Sequence, residues 1–380
     1  MADETGLLAG LRILSVEQYG AGPYGTGLLA DLGAEVIKLE NAETGGDISR
    51  SIGPHLLGED DSQFYQTFSR GKKSITVDLK SDAGRTRLSD LVKAADAVAN
   101  NLRGDQPAKL GLRYEDLCVH NPAIVCAHLS AYGRDNERAS WPGYDYLMQA
   151  ECGFLSLTGE PDGPPARFGL SMVDFMTGSL MALALLAAVM SARKTGLGCD
   201  VDTSLYDTAL HQLSYPATWY LNEGDVTARL PRSSHPSVMP SQLFRSADGW
   251  LFVMCQNPKF WRLFCERLDR PEWLLDERFA TPAARMAHRE PLEFTIEAVL
   301  TTQPTSHWVA LLSGSVPVAP VHDVAQALDN PFAEATGMLN TVAHPALANG
   351  LRMLSSPFKV NGQRPPDRRA PLLGEHDDKV

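Results

Sequence analysis

The stretch LSVEQYGAGPYGTGLLADLGAEVIKLE, residues 14 to 40, decides how this chain folds. An apolar run ends at Val16, and Gly20-x-Gly22-x-x-Gly25 follows it. Leu28, Leu29 and Leu32 then recur at helical spacing, and a second apolar run closes at Glu40. Strand, glycine-rich turn, helix and strand in this order form the opening unit of a Rossmann-like sheet. An acidic residue twenty positions after the first glycine also fits a dinucleotide-binding pattern, so an NAD-dependent oxidoreductase is one reading. Pro23 counts against it. Proline has no N–H to give to a phosphate cradle, whereas near a helix start it is an ordinary residue of a tight turn.

Outward from this stretch the alternation continues. KKSITVDLK reads as a strand ending at Lys80, SDAGRTRLSDLVKAADAVANNL as a helix and strand, and PAIVCAHLSAYG as a further strand and turn. Such βα alternation predicts a doubly wound parallel sheet with helices on both faces. After about residue 215 the pattern changes. HPSVMPSQLFRSADGWLFVMCQN reads as two strands around an Ala-Asp-Gly turn, and SVPVAPVHDVAQAL as a strand followed by a helix. The predicted plan is an α/β protein. A large Rossmann-like domain over 1–219 is followed by a smaller α+β domain over 220–325, and 326–380 return to complete the large one.

The 380 residues are 44% hydrophobic and 21% charged, the balance of a globular chain able to bury a sizeable core. The formal charge of −12 argues against a nucleic-acid or anionic-membrane binder, so any anionic ligand must meet local basic clusters. The cysteines Cys118, Cys126, Cys152, Cys199, Cys255 and Cys265 show no C-x-x-C pair or metal-ligand spacing. They read as reduced thiols of a cytoplasmic protein. The opening MADETGLLAG does not read as a secretory signal. The apolar run from Phe175 to Met190 reads as a buried core helix, too short to cross a bilayer comfortably.

Several motifs occur in a fixed order: AGPYGTGLLADLGAEVIKLE, GGDISR, RGKKSITVDLK, NLRGDQPAKLGL, PGYDYLMQAECGFLSLTGE, the long GLSMVDFMTGSLMALALLAAVMSARKTGLGCDVDTSLYD, and a closing APLLGEH. In this order, from about Leu11 to His376, the chain resembles the family III CoA-transferases. That family holds formyl-CoA transferase, carnitine CoA-transferase and α-methylacyl-CoA racemase relatives. The resemblance implies that the glycine-rich turn lies against coenzyme A rather than NAD. Carried over by motif, the CoA contacts fall on Tyr19, Gly20 and Ala21, on Val77, Asp78, Leu79 and Lys80, on Asn101 and Leu102, and on Lys109. Asn41 stands where the formyl-CoA transferases hold an arginine. Arg70 to Lys73, Lys80, Arg103 and Lys109 are the basic residues nearest these motifs and the candidates to meet the CoA phosphates. CoA is a substrate in this family. No permanently bound cofactor and no metal are expected.

The resemblance also assigns the chemistry. Asp174 stands at the start of the long apolar helix, a place where an aspartate is often a simple cap. There the helix dipole and free N–H groups favour an ionised carboxylate, which can attack a thioester. The family's nucleophilic aspartate matches Asp174, with Gly169, Gly178 and Ser179 expected to leave room for the thioester. Tyr144 and Asp145 are expected to line the acyl site. In the racemase relatives a His-Asp pair occupies that segment. Racemisation by α-proton transfer is therefore the alternative activity, and tyrosine, with a pKa near 10, is a poor base for it. A non-catalytic acyl-CoA-binding subunit is the alternative of another class, which the retained Asp174 disfavours. His211 reads as a core histidine, and His235 as a loop residue able to approach the acyl group. The partners implied are an acyl-CoA, a carboxylic acid and a second copy of the chain in an interlocked homodimer. Linkers around 215–235 and 320–340 are compatible with such threading.

Overall fold

A computed structural model describes residues 6–380. They form two compact units. The first holds the described residues up to Cys152 together with Phe168–Ser214 and Pro331–Val380, and the second holds Gly153–Arg167 and Tyr215–Asn330. The segment 153–167 thus groups with the second unit, although the sequence reading ran the large domain unbroken through it.

The first unit is built on six parallel strands in the order β3-β2-β1-β4-β5-β6. They are β1 (Arg12–Val16), β2 (Glu35–Glu40), β3 (Lys73–Thr76), β4 (Ala97–Asn100), β5 (Val125–Ser130) and β6 (Asp200–Ser204). Ile13 pairs with Val36 on one side and with Ala97 on the other, so the strand order reverses at β1. Right-handed crossovers then place the connecting segments on opposite faces, and ligands meet such sheets beyond the strand C-termini at this reversal. Every residue of β4 and β5 is buried, the signature of strands covered on both faces. Leu14, Ile37, Ile75, Val98 and Cys126 form a core with Leu88, Leu91 and Val92 of the helix Asp82–Val92.

Helix α1 (Ala21–Asp31) follows β1, and α2 (Met172–Thr195) packs across it. Their approach depends on two glycines. A Cβ on Gly25 would lie 2.3 Å from the Gly178 carbonyl oxygen, and one on Gly178 would lie 2.3 Å from that of Ala21. Gly178 therefore serves helix packing, and the room expected there for a thioester is filled by α1. Helix α2 is longer than the apolar run suggested, reaching from Met172 to a left-handed Gly196. By length and composition it could cross a membrane. In this fold Val173, Met181, Leu185 and Val189 are buried, while Leu183 and Met190 stay exposed.

β3 stops at Thr76, short of the expected Lys80. The Asp78 carboxylate accepts the Lys80 N–H at 3.1 Å, a local turn that competes with a continuing strand, and Ser81 then caps the next helix. The outer edge of β3 is covered by the C-terminal segment. His376 N–H donates to the Ser74 carbonyl at 2.9 Å, and the Thr76 N–H to Asp377 at 2.6 Å.

The second unit contains the predicted hairpin, β7 (Ser241–Arg245) and β8 (Trp250–Met254), with β9 (Val318–Pro320) antiparallel to β8. Its core is aromatic, with Phe244, Trp261, Phe264, Trp273, Phe279 and Trp308 all buried.

Candidate active site

The loop beyond β1 lies against the first turn of α2 and is tied to the loop beyond β4. Beyond β1, Tyr19 adopts a left-handed φ of 68°, rare for a side chain of its size. Its N–H is fixed by Asp47 Oδ1 at 3.0 Å, and Asp47 in turn pairs with Lys38. Beyond β4, the Asn101 amide accepts the Gln18 N–H at 2.9 Å and donates to the Gln18 carbonyl at 2.7 Å, tying the two loops together. A Cβ on Gly22 would lie 2.8 Å from that of Asn101, and one on Gly20 would lie 2.9 Å from Asp174 Oδ2. The fingerprint glycines are therefore needed so that Asn101 and the Asp174 carboxylate can lie directly on the backbone of the turn.

Asp174 is the third residue of α2 and 6% exposed. The sequence led us to expect that the helix N-terminus would hold it ionised, but its carboxyl lies above the ordinary range. Burial, and after it the charge of Asp145, push its carboxyl up to about 7. Asp145 opens the short helix Asp145–Glu151, which precedes α2 in the chain, and is itself 3% exposed. Its Oδ2 accepts the Asp174 N–H at 3.0 Å and its Oδ1 the Gln149 amide at 2.6 Å. Its oxygens thus meet protein donors, whereas the preceding Tyr144 is 64% exposed. Tyr19 feels Asp174, Tyr146 and Tyr144 in addition to its own burial, all of which raise its phenol. Tyr146 was not anticipated from the sequence.

Apart from Lys109, which lies in the helix Gln106–Leu110, the expected CoA residues follow the C-terminal ends of β1, β3 and β4. Val77 and Leu79 are buried in the core, so they present backbone rather than side chain to a ligand. Asp78 also accepts from Asn41 at 3.3 Å. Lys80 is exposed and has no ion-pair partner among the described residues. Arg103 and Lys109 both lean on Asp105. The RGKK segment does not join them. Arg70 pairs with Asp31, Lys72 is buried against Glu17 at 2.7 Å, and Lys73 pairs with Glu35. Arg70 and Lys73 line a cavity of about 640 Å³ at the opposite, N-terminal edge of the sheet, with Arg12, Glu35 and Arg364.

Glu40, the acidic residue of the dinucleotide pattern, is equally committed. It binds Arg50 at 2.6 and 2.9 Å, Ser74 at 2.6 Å and the Asp47 N–H at 2.9 Å, leaving nothing for a ribose. His211 is exposed, because the buried face of its helix is Leu205, Thr208 and Ala209. His235 lies in the second unit, where its Nδ1 accepts the Ser237 N–H at 3.1 Å. All six cysteines are free, and burial pushes the Cys152 thiol up to about 11 and that of Cys265 to about 12.

The buried Asp174 carboxylate thus lies against the glycine turn where the strand order of the Rossmann-like sheet reverses. The chain belongs to CoA-transferase family III, whose model matches residues 8–377. It is 34% identical over 379 residues to a succinyl-CoA:mesaconate CoA-transferase of Haloarcula hispanica, covering 98% of this chain and 94% of that protein. It is 33% identical over 378 residues to an acetyl-CoA:oxalate CoA-transferase of Acetobacter aceti, covering 98% and 95%. Among solved structures, that of Rv3272 from Mycobacterium tuberculosis superposes with a TM-score of 0.86 at 29% identity, covering 98% of both chains.

Proposed function

We propose that this protein transfers CoA between carboxylic acids through covalent intermediates on Asp174. The carboxylate attacks the thioester carbonyl of the donor acyl-CoA, forming a C–O bond, and the C–S bond breaks to release CoA thiolate. The thiolate then attacks the Asp174 carbonyl of the mixed anhydride, freeing the donor acid and leaving an aspartyl-CoA thioester. The acceptor carboxylate attacks that thioester, and the returning thiolate attacks the resulting anhydride at the acceptor carbonyl. The products are the new acyl-CoA and the free Asp174 carboxylate. Each bond broken is replaced by one of similar reactivity, so the exchange needs no ATP.

The observation that carries this reading is the Asp174 carboxylate lying against Gly20 at the sheet's reversal point. The backbone of residues 19–21 and 77–80, with Lys80, would hold the CoA moiety. Short dicarboxylic acids, named for the Haloarcula and Acetobacter relatives, are the first acids to test. We also propose a homodimer, supported by the exposed Leu183 and Met190 on α2. Incubation with acyl-CoA donors followed by hydroxylamine or borohydride tests the mechanism, with the modified peptide read by mass spectrometry. Modification of the peptide containing Asp174 is expected. A label on another carboxylate would overturn the assignment.

A further inference from the structure

The first turn of α2 has an unusual cap. Ser171 stands at the N-cap position, yet its side chain makes no capping hydrogen bond. The acceptor comes instead from a residue 29 positions earlier, as Asp145 Oδ2 takes the Asp174 N–H. Gln149, one turn along the same helix, completes the device. Its Nε2 donates to Asp145 Oδ1, and its Oε1 accepts the Phe168 N–H at 2.9 Å. It also reaches the Leu170 carbonyl at 3.3 Å. One Asp–Gln pair at i and i+4 therefore holds both the segment entering α2 and the backbone of Asp174.

We propose that Asp145 is a positioning residue for transfer: it orients Asp174 through the backbone N–H, and its negative charge makes the Asp174 carboxylate a stronger nucleophile. This rests on the reading of Asp174 as the nucleophile. A mere clamp would not need a charge, since an asparagine or serine oxygen accepts an N–H as well. Asp145 acts on the Asp174 carboxyl, and Asp174 in turn acts on the phenol of Tyr19 in the β1 loop, which Tyr146 and Tyr144 also influence. After burial, the charge of Asp145 is the cause that raises the Asp174 carboxyl. Placing a second carboxylate here keeps the nucleophile basic, so it gives up its electron pair more readily once ionised.

The test is the pH dependence of single-turnover acyl-adduct formation in the full-length enzyme. In the wild type the rate should climb through neutrality as Asp174 ionises. Asp145→Asn keeps an oxygen for the Asp174 N–H but removes the charge. Its midpoint should fall by about one pH unit, the scale of a neighbouring like charge, and its alkaline plateau should drop several-fold. Asp145→Ser should shift in the same direction and serves if the asparagine variant folds poorly. An adduct on Asp174 with an unmoved midpoint in either folded variant overturns the proposal alone. A wild-type rate flat from about pH 5 to about pH 9 also overturns it. Absence of any adduct on Asp174 in the wild type sinks the nucleophile assignment and this proposal together.

Discussion

Two groups of buried carboxylates lie in the first unit, and they are treated in opposite ways. Glu17, Glu40 and Asp47 each have a buried cation, respectively Lys72, Arg50 and Lys38. Burial works against the ionisation of Glu40 and Asp47. Hydrogen bonds from Arg50 and the charge of Lys38 outweigh it, holding both below the usual carboxylate range. Asp174 instead has burial and the negative charge of Asp145 acting on it, and its carboxyl is pushed up. The first group fixes the loop that carries Tyr19. The second holds one carboxyl above its ordinary range, the setting in which the proposed chemistry would run.

The sharpest way to break this contrast is to exchange the roles. Asp174→Asn should lower transfer by at least about a thousandfold, as expected when a covalent step is lost. Folding should survive, so circular dichroism alongside turnover separates chemistry from collapse. Near-normal turnover would place Asp174 among the scaffold residues.

Arg50→Met should do the reverse. It strands the buried Glu40 charge and should cost about 3–5 kcal/mol of unfolding free energy, read as a lower urea midpoint. A loss under about 1 kcal/mol would mean that the pair does not hold the loop.

The two groups should also answer pH with opposite signs. Glu40 and Asp47 titrate lower in the folded state than in the unfolded chain. Their stabilisation is present above the unfolded values near 4 and is lost as pH falls through the folded ones. Asp174 titrates higher when folded, so stability is greatest below its unfolded value and declines as pH rises toward about 7. Asp174→Asn should therefore be more stable than the wild type above neutrality, by on the order of 4 kcal/mol. The gap should close by about pH 4. Equal stability at all pH values would show that Asp174 is not held neutral by its surroundings.

Much of the fold was legible because its signals are local. Apolar runs at Ile13–Leu14, Val36–Leu39 and Val125–Leu129, with the turn glycines, marked the parallel strands before any contact was known. The hairpin around Ala247-Asp248-Gly249 was legible for the same reason. Where strands and helices end was less so. Asp78 stopped β3 through a side-chain bond that β-propensity does not register, and α2 began before Asp174. The basic segment Arg70–Lys73 misled because a lysine looks alike in sequence whether it meets a phosphate or a buried Glu17.

By itself the sequence determined the alternation of elements, the family, and Asp174 as the residue to test. These follow from periodicity and ordered motifs, which need no knowledge of distant partners. Only the tertiary structure decided which charges cancel and which do not. It took Glu40 away from any ligand, placed Arg70 and Lys73 at the far edge of the sheet, and set Asp145 against Asp174. Ionisation depends on burial and on neighbours within a few ångströms, and those neighbours come from positions tens of residues apart.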